Sequence, residues 1–309
     1  MTTRAMRRAA VRRAVPLPSL SIPEGRLVEL PGRGSTYVTD SPGPNGAPTV
    51  LLLHAVGCTG LLTWFPSIPA LTERYRVVTL DQRWHGQGIT SEEFSLYDCA
   101  DDAAAVIETL GLEDVIVAGY SMGSVVAQRT WRQHPDRVAG LVLGATTDRF
   151  RRSPAEMMFF QSMGLSMGAL RGLARSRTAL AAARSAARFM DIDDPGDLHD
   201  WALAEFRSTS PWAVAQAVAA LGRHHSRPWL RRIDVPTAVV VMARDRVIPA
   251  DRQRTLAARI PGATTHEADA GHAGCVLAAE EFVPTLLEAC ASVAARVRDG
   301  KRLERRVEL

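Results

Sequence analysis

The chain has 309 residues, 46% of them apolar, with 37 basic against 33 acidic side chains for a formal charge of +4. A chain of this length and apolar content buries a large core, as one big domain or one domain carrying an insertion, which excludes disorder and miniature disulfide scaffolds. The basic excess collects at Arg4, Arg7, Arg8, Arg12 and Arg13 and is too modest to argue for nucleic acid as a partner.

Residues 1–24 read as a basic N-terminal arm. Arg4, Arg8 and Arg12 repeat at helical spacing with Arg7 alongside. A solvated tail is the plain reading, and contact with anionic lipid or an acidic partner is the alternative. A signal peptide would need an apolar core next, but Val15 to Glu24 is broken by Pro16, Pro18 and Pro23. No apolar run reaches the roughly 18 residues of a membrane-spanning helix, so a cytoplasmic location is expected.

Arg26–Leu30 and Ser35–Thr39 flank Pro31-Gly32-Arg33-Gly34, which predicts a hairpin at one sheet edge. Val50–His54 is apolar up to its last residue, as a strand buried on both faces should be. Arg76–Leu80, Val115–Gly119, Ala139–Gly144 and Thr237–Met242 follow the same style, and Ala263–Ala268 is strand-like. Helices fit Tyr97–Leu110, Met122–His134 and Leu277–Val297. This alternation marks an α/β fold with a mostly parallel central sheet covered by helices on both faces. From about Asp148 to Trp229 the rhythm breaks, with only Ala, Arg, Met and Leu at helical spacing. A helical lid insertion over the C-terminal strand ends is expected there. The division is therefore an arm (1–24), a core (25–147 and 230–299), a lid (148–229) and a charged C-terminal tail (300–309).

Gly119-Tyr120-Ser121-Met122-Gly123 is a G-x-S-x-G sequence, with a strand before it and a helix start at Val125–Gln128 after it. A nucleophile elbow requires this setting, because a serine forced into a tight, strained turn needs neighbours without a Cβ. The helix N-terminus beyond favours negative charge near the oxygen. A glycine-rich structural turn is the competing reading, and the flanking strand and helix argue against it.

A serine hydroxyl needs a base to take its proton. Of the eight histidines, His272 lies in Asp269-Ala270-Gly271-His272-Ala273-Gly274, a late loop able to reach back over the sheet. His54 and His85 fall in early loops. The base in turn needs a carboxylate to hold its tautomer. Asp245 follows Thr237–Met242 directly, at a strand end, whereas Asp251 lies in the next helix and Asp234 precedes the strand. An ion pair of Asp245 with Arg244 or Arg246 is the competing reading. The order serine, acid, histidine is the one an elbow of this kind uses. Two backbone N–H groups must also hold the developing oxyanion. Met122 is expected to supply one, and Val56, in the loop after Val50–His54, the other.

Cys58, Cys99, Cys275 and Cys290 are scattered, with no spacing that suits a zinc site, and read as free thiols. Neither a metal nor an organic cofactor is needed for the chemistry expected here.

Taken together, Leu51–Gly57, Asp81–Gly88, the segment around Ser121, Arg244–Pro249 and Gly271-His272 resemble the α/β-hydrolase superfamily. The likeness is to bacterial esterase-like members, which include cofactor-free haloperoxidases, and it covers roughly residues 25–297 apart from the insertion. It implies the α/β-hydrolase fold. Ala55 stands where the family usually has glycine, and Gly57 is expected to take up that turn. Arg83 and His85 match a structural loop beside the site. Ser121 occupies the position where dehalogenases and many epoxide hydrolases of this fold carry aspartate, so neither activity is expected.

The expected reaction is cleavage of a carboxylic ester through an acyl-enzyme, as in a carboxylesterase or lipase. Thioesterase, phospholipase and cofactor-free perhydrolase or haloperoxidase chemistry would use the same residues. The expected partner is a small-molecule ester or thioester, lipids included. A catalytically silent binding receptor is the reading from a different class, and the complete triad speaks against it.

In the insertion, Phe159, Met163, Met167 and Leu170 step along one side of a helix, and Phe160, Met157 and Met158 widen that surface. Such a stripe packs a lid onto its domain or, with flexible thioethers in it, lines an acyl pocket. The pocket reading assigns substrate contact to Phe160, Met163 and Met167. It predicts that Met163→Trp or Phe160→Trp lowers kcat/KM for long acyl esters far more than for acetate. Equal losses on both would make the stripe structural.

Overall fold

The computed structural model describes residues 22–151, 156, 158 and 198–307. Eight strands form one sheet: β1 (Gly25–Leu30), β2 (Gly34–Ser41), β3 (Thr49–Leu53), β4 (Arg76–Leu80), β5 (Ile116–Tyr120), β6 (Gly140–Gly144), β7 (Thr237–Met242) and β8 (Thr264–Ala268). Their spatial order is β1-β2-β4-β3-β5-β6-β7-β8. β1 and β2 form the expected antiparallel edge hairpin, β2 meets β4 antiparallel, and the remaining pairs are parallel.

Every residue of β3, β5, β6 and β7 is buried, because helices cover both faces of these strands. Each fully buried Val or Leu there contributes about 1.5–3 kcal/mol relative to exposure. The helices are α1 (Gly60–Trp64), α2 (Ile68–Thr72), α3 (Leu96–Thr109), α4 (Met122–Gln133), α5 (Leu198–Ser208), α6 (Pro211–Arg223), α7 (Ala250–Ala257), α8 (Gly274–Leu277) and α9 (Ala279–Val307). On one face, α3, α4 and α7 pack Val106, Val125, Val126 and Leu256 onto Leu51, Val117, Leu141 and Val239. On the other, α1, α2 and α9 pack Trp64, Leu71, Phe282 and Val293 onto Val50, Ile116, Val142 and Val240.

Local chemistry sets the helix starts. Thr59 accepts from the N–H of Leu62, Ser95 from those of Tyr97 and Asp98, and Ser210 from that of Ala213, each side chain satisfying donors that the first turn leaves open. The last helix differs from its expected extent. It begins at Ala279, after the separate short α8, and runs on to Val307, past the expected stop at Val297. One glycine, Gly300, costs about 1 kcal/mol in a helix, and the Lys, Arg, Leu and Glu around it are good helix formers.

Chain direction across the sheet reverses between β3 and β5, since β3 leads outward to β4 while β5 leads to β6 on the other side. In open α/β sheets, ligands bind outside the C-terminal strand ends at such a point. Within 148–229 the described residues form α5, α6 and a single bridge between Arg149 and His225. Phe160, Met163 and Met167 lie outside the described residues. Among the described residues, no helix is long and apolar enough to cross a membrane.

The approach of α4 to the sheet is close enough to demand glycine. A Cβ on Gly123 would meet the Leu53 carbonyl oxygen at 2.0 Å, and one on Gly119 would meet the Gly123 carbonyl at 2.3 Å. Gly123→Ala is therefore expected to lower stability by about 1–3 kcal/mol in urea denaturation. Gly300→Ala, in helix with nothing within 4 Å of its added Cβ, is expected to raise it by about 0.5–1 kcal/mol.

Candidate active site

Ser121 follows β5 at the first turn of α4, with φ 52° and ψ −112°, a conformation L-residues rarely hold. Its surroundings enforce the turn. The Ser121 N–H donates to the Gly144 carbonyl at 2.9 Å, and the Ser124 hydroxyl contacts the carbonyls of Gly119 and Gly144 at 2.7 and 2.8 Å. Gly119 and Gly123 face each other across the turn, which is why the motif has glycine at both ends.

His272 reaches Ser121 from the loop between β8 and α8. Its Nε2 lies 3.1 Å from Ser121 Oγ, and its Nδ1 lies 2.7 Å from Asp245 Oδ2. An ionised carboxylate only accepts, so Nδ1 carries the proton and Nε2 of the neutral ring presents its lone pair to the hydroxyl. Asp245 Oδ1 accepts the backbone N–H groups of Val247 and Ile248, both at 2.8 Å. Its side chain is fully buried, whereas that of His272 is 23% exposed. The competing ion pair does not form with Arg244, whose guanidinium pairs with Asp269 on the surface.

The two expected oxyanion donors lie at the start of α4 and in the loop after β3. Met122 is the first residue of α4, and Val56 lies in the turn closed by the Cys58 N–H donating to the Ala55 carbonyl at 3.3 Å. Among the described residues, neither the Val56 nor the Met122 backbone N–H donates to a protein acceptor. Gly57 carries the positive φ of this turn, 75°, so Ala55 is spared it.

Behind this loop lies a buried polar cluster. The Gln82 N–H donates to His54 Nε2 at 2.8 Å, which leaves His54 Nδ1–H to donate to the Ala55 carbonyl at 2.7 Å. Gln82 Nε2 donates to the His54 carbonyl at 2.8 Å. His85 Nδ1 contacts the Arg83 carbonyl at 3.0 Å, and Arg83 grips Asp102 with two bonds of 2.8 Å. Burial holds His54 well below the usual imidazole range and pushes His85 down to about 4. Neither is bonded to Ser121. Burial likewise pushes the Cys58 thiol up to about 11, so it is protonated at neutral pH.

Three residues here gave no sequence signal. Gln253, eight positions after Asp245, donates to its Oδ2 at 3.1 Å. Tyr120, the free position of the motif, donates its hydroxyl to the His272 carbonyl at 2.8 Å, tying the loop of His272 to the end of β5. Trp84 holds φ 66° and donates Nε1 to Ser91 Oγ at 3.1 Å.

A family profile described as the alpha/beta hydrolase fold matches residues 48–279. The chain belongs to this α/β-hydrolase family. BpoC of Mycobacterium tuberculosis, which bears the name non-heme bromoperoxidase, is 31% identical over 249 residues, covering 75% of this chain and 90% of BpoC. Its crystal structure superimposes with a TM-score of 0.64 at 27% identity, over 84% of this chain and 96% of that one. The 3-oxoadipate enol-lactonase 1 of Acinetobacter baylyi is 34% identical over 95 residues, 31% of this chain and 35% of its own length. A thermophilic esterase from Thermogutta terrifontis shares the fold with a TM-score of 0.66 at 23% identity, over 87% of this chain and 99% of that one.

The buried histidines make stability depend on pH. His54, His85 (about 4) and His224 (about 3, lowered mainly by burial) stay neutral in the fold but take protons near pH 6.5 when unfolded. Their folded values lie below their unfolded ones, so acidification from about pH 6.5 towards 4 favours the unfolded chain, by up to about 1.4 kcal/mol per pH unit for each proton. Asp81 has the opposite sign. Burial, with the charge of Glu205 adding to it, raises Asp81 to about 6, so its contribution is present in acid and lost as pH rises through that value. Three histidines outweigh one carboxylate. Tm is expected to fall between pH 7 and pH 4.5, and His224→Met, which removes one of those protons, should flatten the slope in thermal melts.

Proposed function

We propose that the protein is a serine hydrolase that cleaves carboxylic esters through an acyl-enzyme. Membership of the α/β-hydrolase family supports a hydrolase. The ester-cleaving reading rests on one observation: a single imidazole lies 3.1 Å from a strained serine hydroxyl and 2.7 Å from a buried carboxylate.

In this reading Ser121 Oγ attacks the ester carbonyl carbon while its proton passes to His272 Nε2. The carbonyl oxygen becomes an oxyanion held by the Val56 and Met122 N–H groups. Collapse breaks the bond to the alcohol, which leaves with the proton from His272. Water then attacks the acyl-enzyme, again losing a proton to His272, and the carboxylic acid departs. Asp245 keeps the ring in the required tautomer and stabilises the imidazolium at each step.

The likeness to BpoC favours a second reading on the same residues, in which hydrogen peroxide replaces water on the acyl-enzyme and a peracid is released. Bromide oxidation that needs both ester and peroxide would identify that branch.

A fluorophosphonate probe should label the wild type and fail to label Ser121→Ala. Ser121→Ala and His272→Ala are each expected to lower kcat on p-nitrophenyl esters by about 10⁴-fold or more, and Asp245→Asn by a similar order, with non-additive combinations. Circular dichroism should show all three folded. The rate should fall in acid, since a protonated imidazole accepts nothing, and a flat kcat/KM from about pH 8 to about pH 5 would exclude a histidine base.

A further inference from the structure

Asp245 receives four hydrogen bonds, and they divide unevenly between its oxygens. Oδ1 is held by two backbone N–H groups, of Val247 and Ile248. Oδ2, the oxygen facing the imidazole, is held by His272 Nδ1 at 2.7 Å and by Gln253 Nε2 at 3.1 Å. Without Gln253, the only side chain or backbone donor to Oδ2 among the described residues would be the ring that this oxygen is meant to orient.

Gln253 projects from α7 and is fully buried. The orientation of its amide follows from its neighbours. Its Oε1 accepts the backbone N–H of Met242, the last residue of β7, at 3.0 Å. Its Nε2 then faces two acceptors, Asp245 Oδ2 and the Ile248 carbonyl at 2.6 Å. The flipped amide would set an NH₂ against an N–H and an oxygen against a carboxylate, so only one orientation satisfies all three partners. One side chain thus joins the end of β7, the turn before α7 and the carboxylate between them. Deleting a buried donor of this kind leaves its acceptors without their partner.

We propose that Gln253 is a positioning residue of the Ser121–His272–Asp245 relay: it fixes Asp245 Oδ2 independently of His272 and so presets the plane of the imidazole. This rests on the reading of Ser121 as nucleophile given above. Gln253 touches no reacting atom, and its effect passes through Asp245. It belongs to the outer layer of hydrogen bonds that locks the rotamers of a catalytic group.

The test is a double-mutant cycle on the full chain. Gln253→Met keeps the volume and loses every polar contact. Gln253→Glu keeps the acceptor for Met242 and turns the donor at Oδ2 into a second carboxylate. Both are expected to lower kcat and the fluorophosphonate labelling rate of Ser121 together, by about 10–100-fold as outer-layer partners do elsewhere, with KM little changed. In an Asp245→Ala background the same substitutions should cause no further loss, because the group they act through is gone. The far-downfield proton resonance of the His272–Asp245 hydrogen bond should also shift in both variants. Should Gln253→Met not fold, the cycle is decided with Gln253→Glu alone. A loss as large in the Asp245→Ala background as in the wild type, or a rise in KM with kcat unchanged, would overturn the proposal. Probe labelling or near-wild-type turnover in folded Ser121→Ala would overturn the nucleophile reading and this proposal with it. Loss of labelling and turnover in Ser121→Ala beside an additive cycle would overturn this proposal alone.

Discussion

The structure depends on how closely the start of α4 approaches the ends of β3 and β5. Gly123 lies so near the Leu53 carbonyl, and Gly119 so near Gly123, that no side chain fits at either position. This approach forces Ser121 to φ 52° and lifts its hydroxyl out of the strand direction to where His272 can meet it. The strain is of the order of 1–3 kcal/mol for a residue held in such a region. It persists because Ser124 ties both Gly119 and Gly144 to the turn, and because β5 is paired on both sides within the sheet.

The same approach brings the loop after β3 close to the start of α4, and that loop has its own support. His54 is wedged between Gln82 and its own chain, so the end of β3 and the loop after β4 are fixed to each other through an imidazole that burial keeps neutral. Arg83 anchors the second loop to α3 through Asp102, which also accepts from Arg33 of the edge hairpin. Polar groups this deeply buried are costly unless they find partners, and the bonds of His54, Arg83 and Asp102 meet most of that need, whereas Gln82 Oε1 and His85 Nε2 have no hydrogen-bond partner among the described residues.

The described part of the insertion docks on these two loops. Glu205 of α5 accepts the hydroxyl of Thr59, and the Gly86 N–H donates to Thr209 at 3.1 Å. Trp201 meets Phe65 edge to face with centroids 5.2 Å apart, and Val214 of α6 lies over Gly57. Asp81 lies beneath, bonded to the N–H groups of Gly60 and Gln87 at 2.9 Å each. The segment from α5 to α6 therefore rests on the loops after β3 and β4, so its placement and that of those loops share the same hydrogen bonds.

Sequence by itself determined the parts whose cause is local. After their first threonine, Thr49–Leu53 and Thr237–Met242 are apolar throughout because both faces of a central strand are buried, and the run of side chains records that directly. The glycines around Ser121 record a turn that admits no Cβ. His272 and Asp245 stood out as candidates because each lies in a loop shortly after a strand, at the same end of the sheet as Ser121. Tertiary structure alone decided the rest. The strand order, with β3 between β4 and β5, depends on pairings between distant segments and leaves no periodic mark. Trp84 at φ 66° breaks the expectation that glycine takes such a backbone, since its indole is held by Ser91 and packs edge to face on Phe94. Gln253 reads as an ordinary helix residue, and Tyr120 as the free position of a motif. Their roles exist only because folding sets an amide against Asp245 and a phenol against the backbone of His272, and a hydrogen bond formed across the fold is written in neither partner's neighbours.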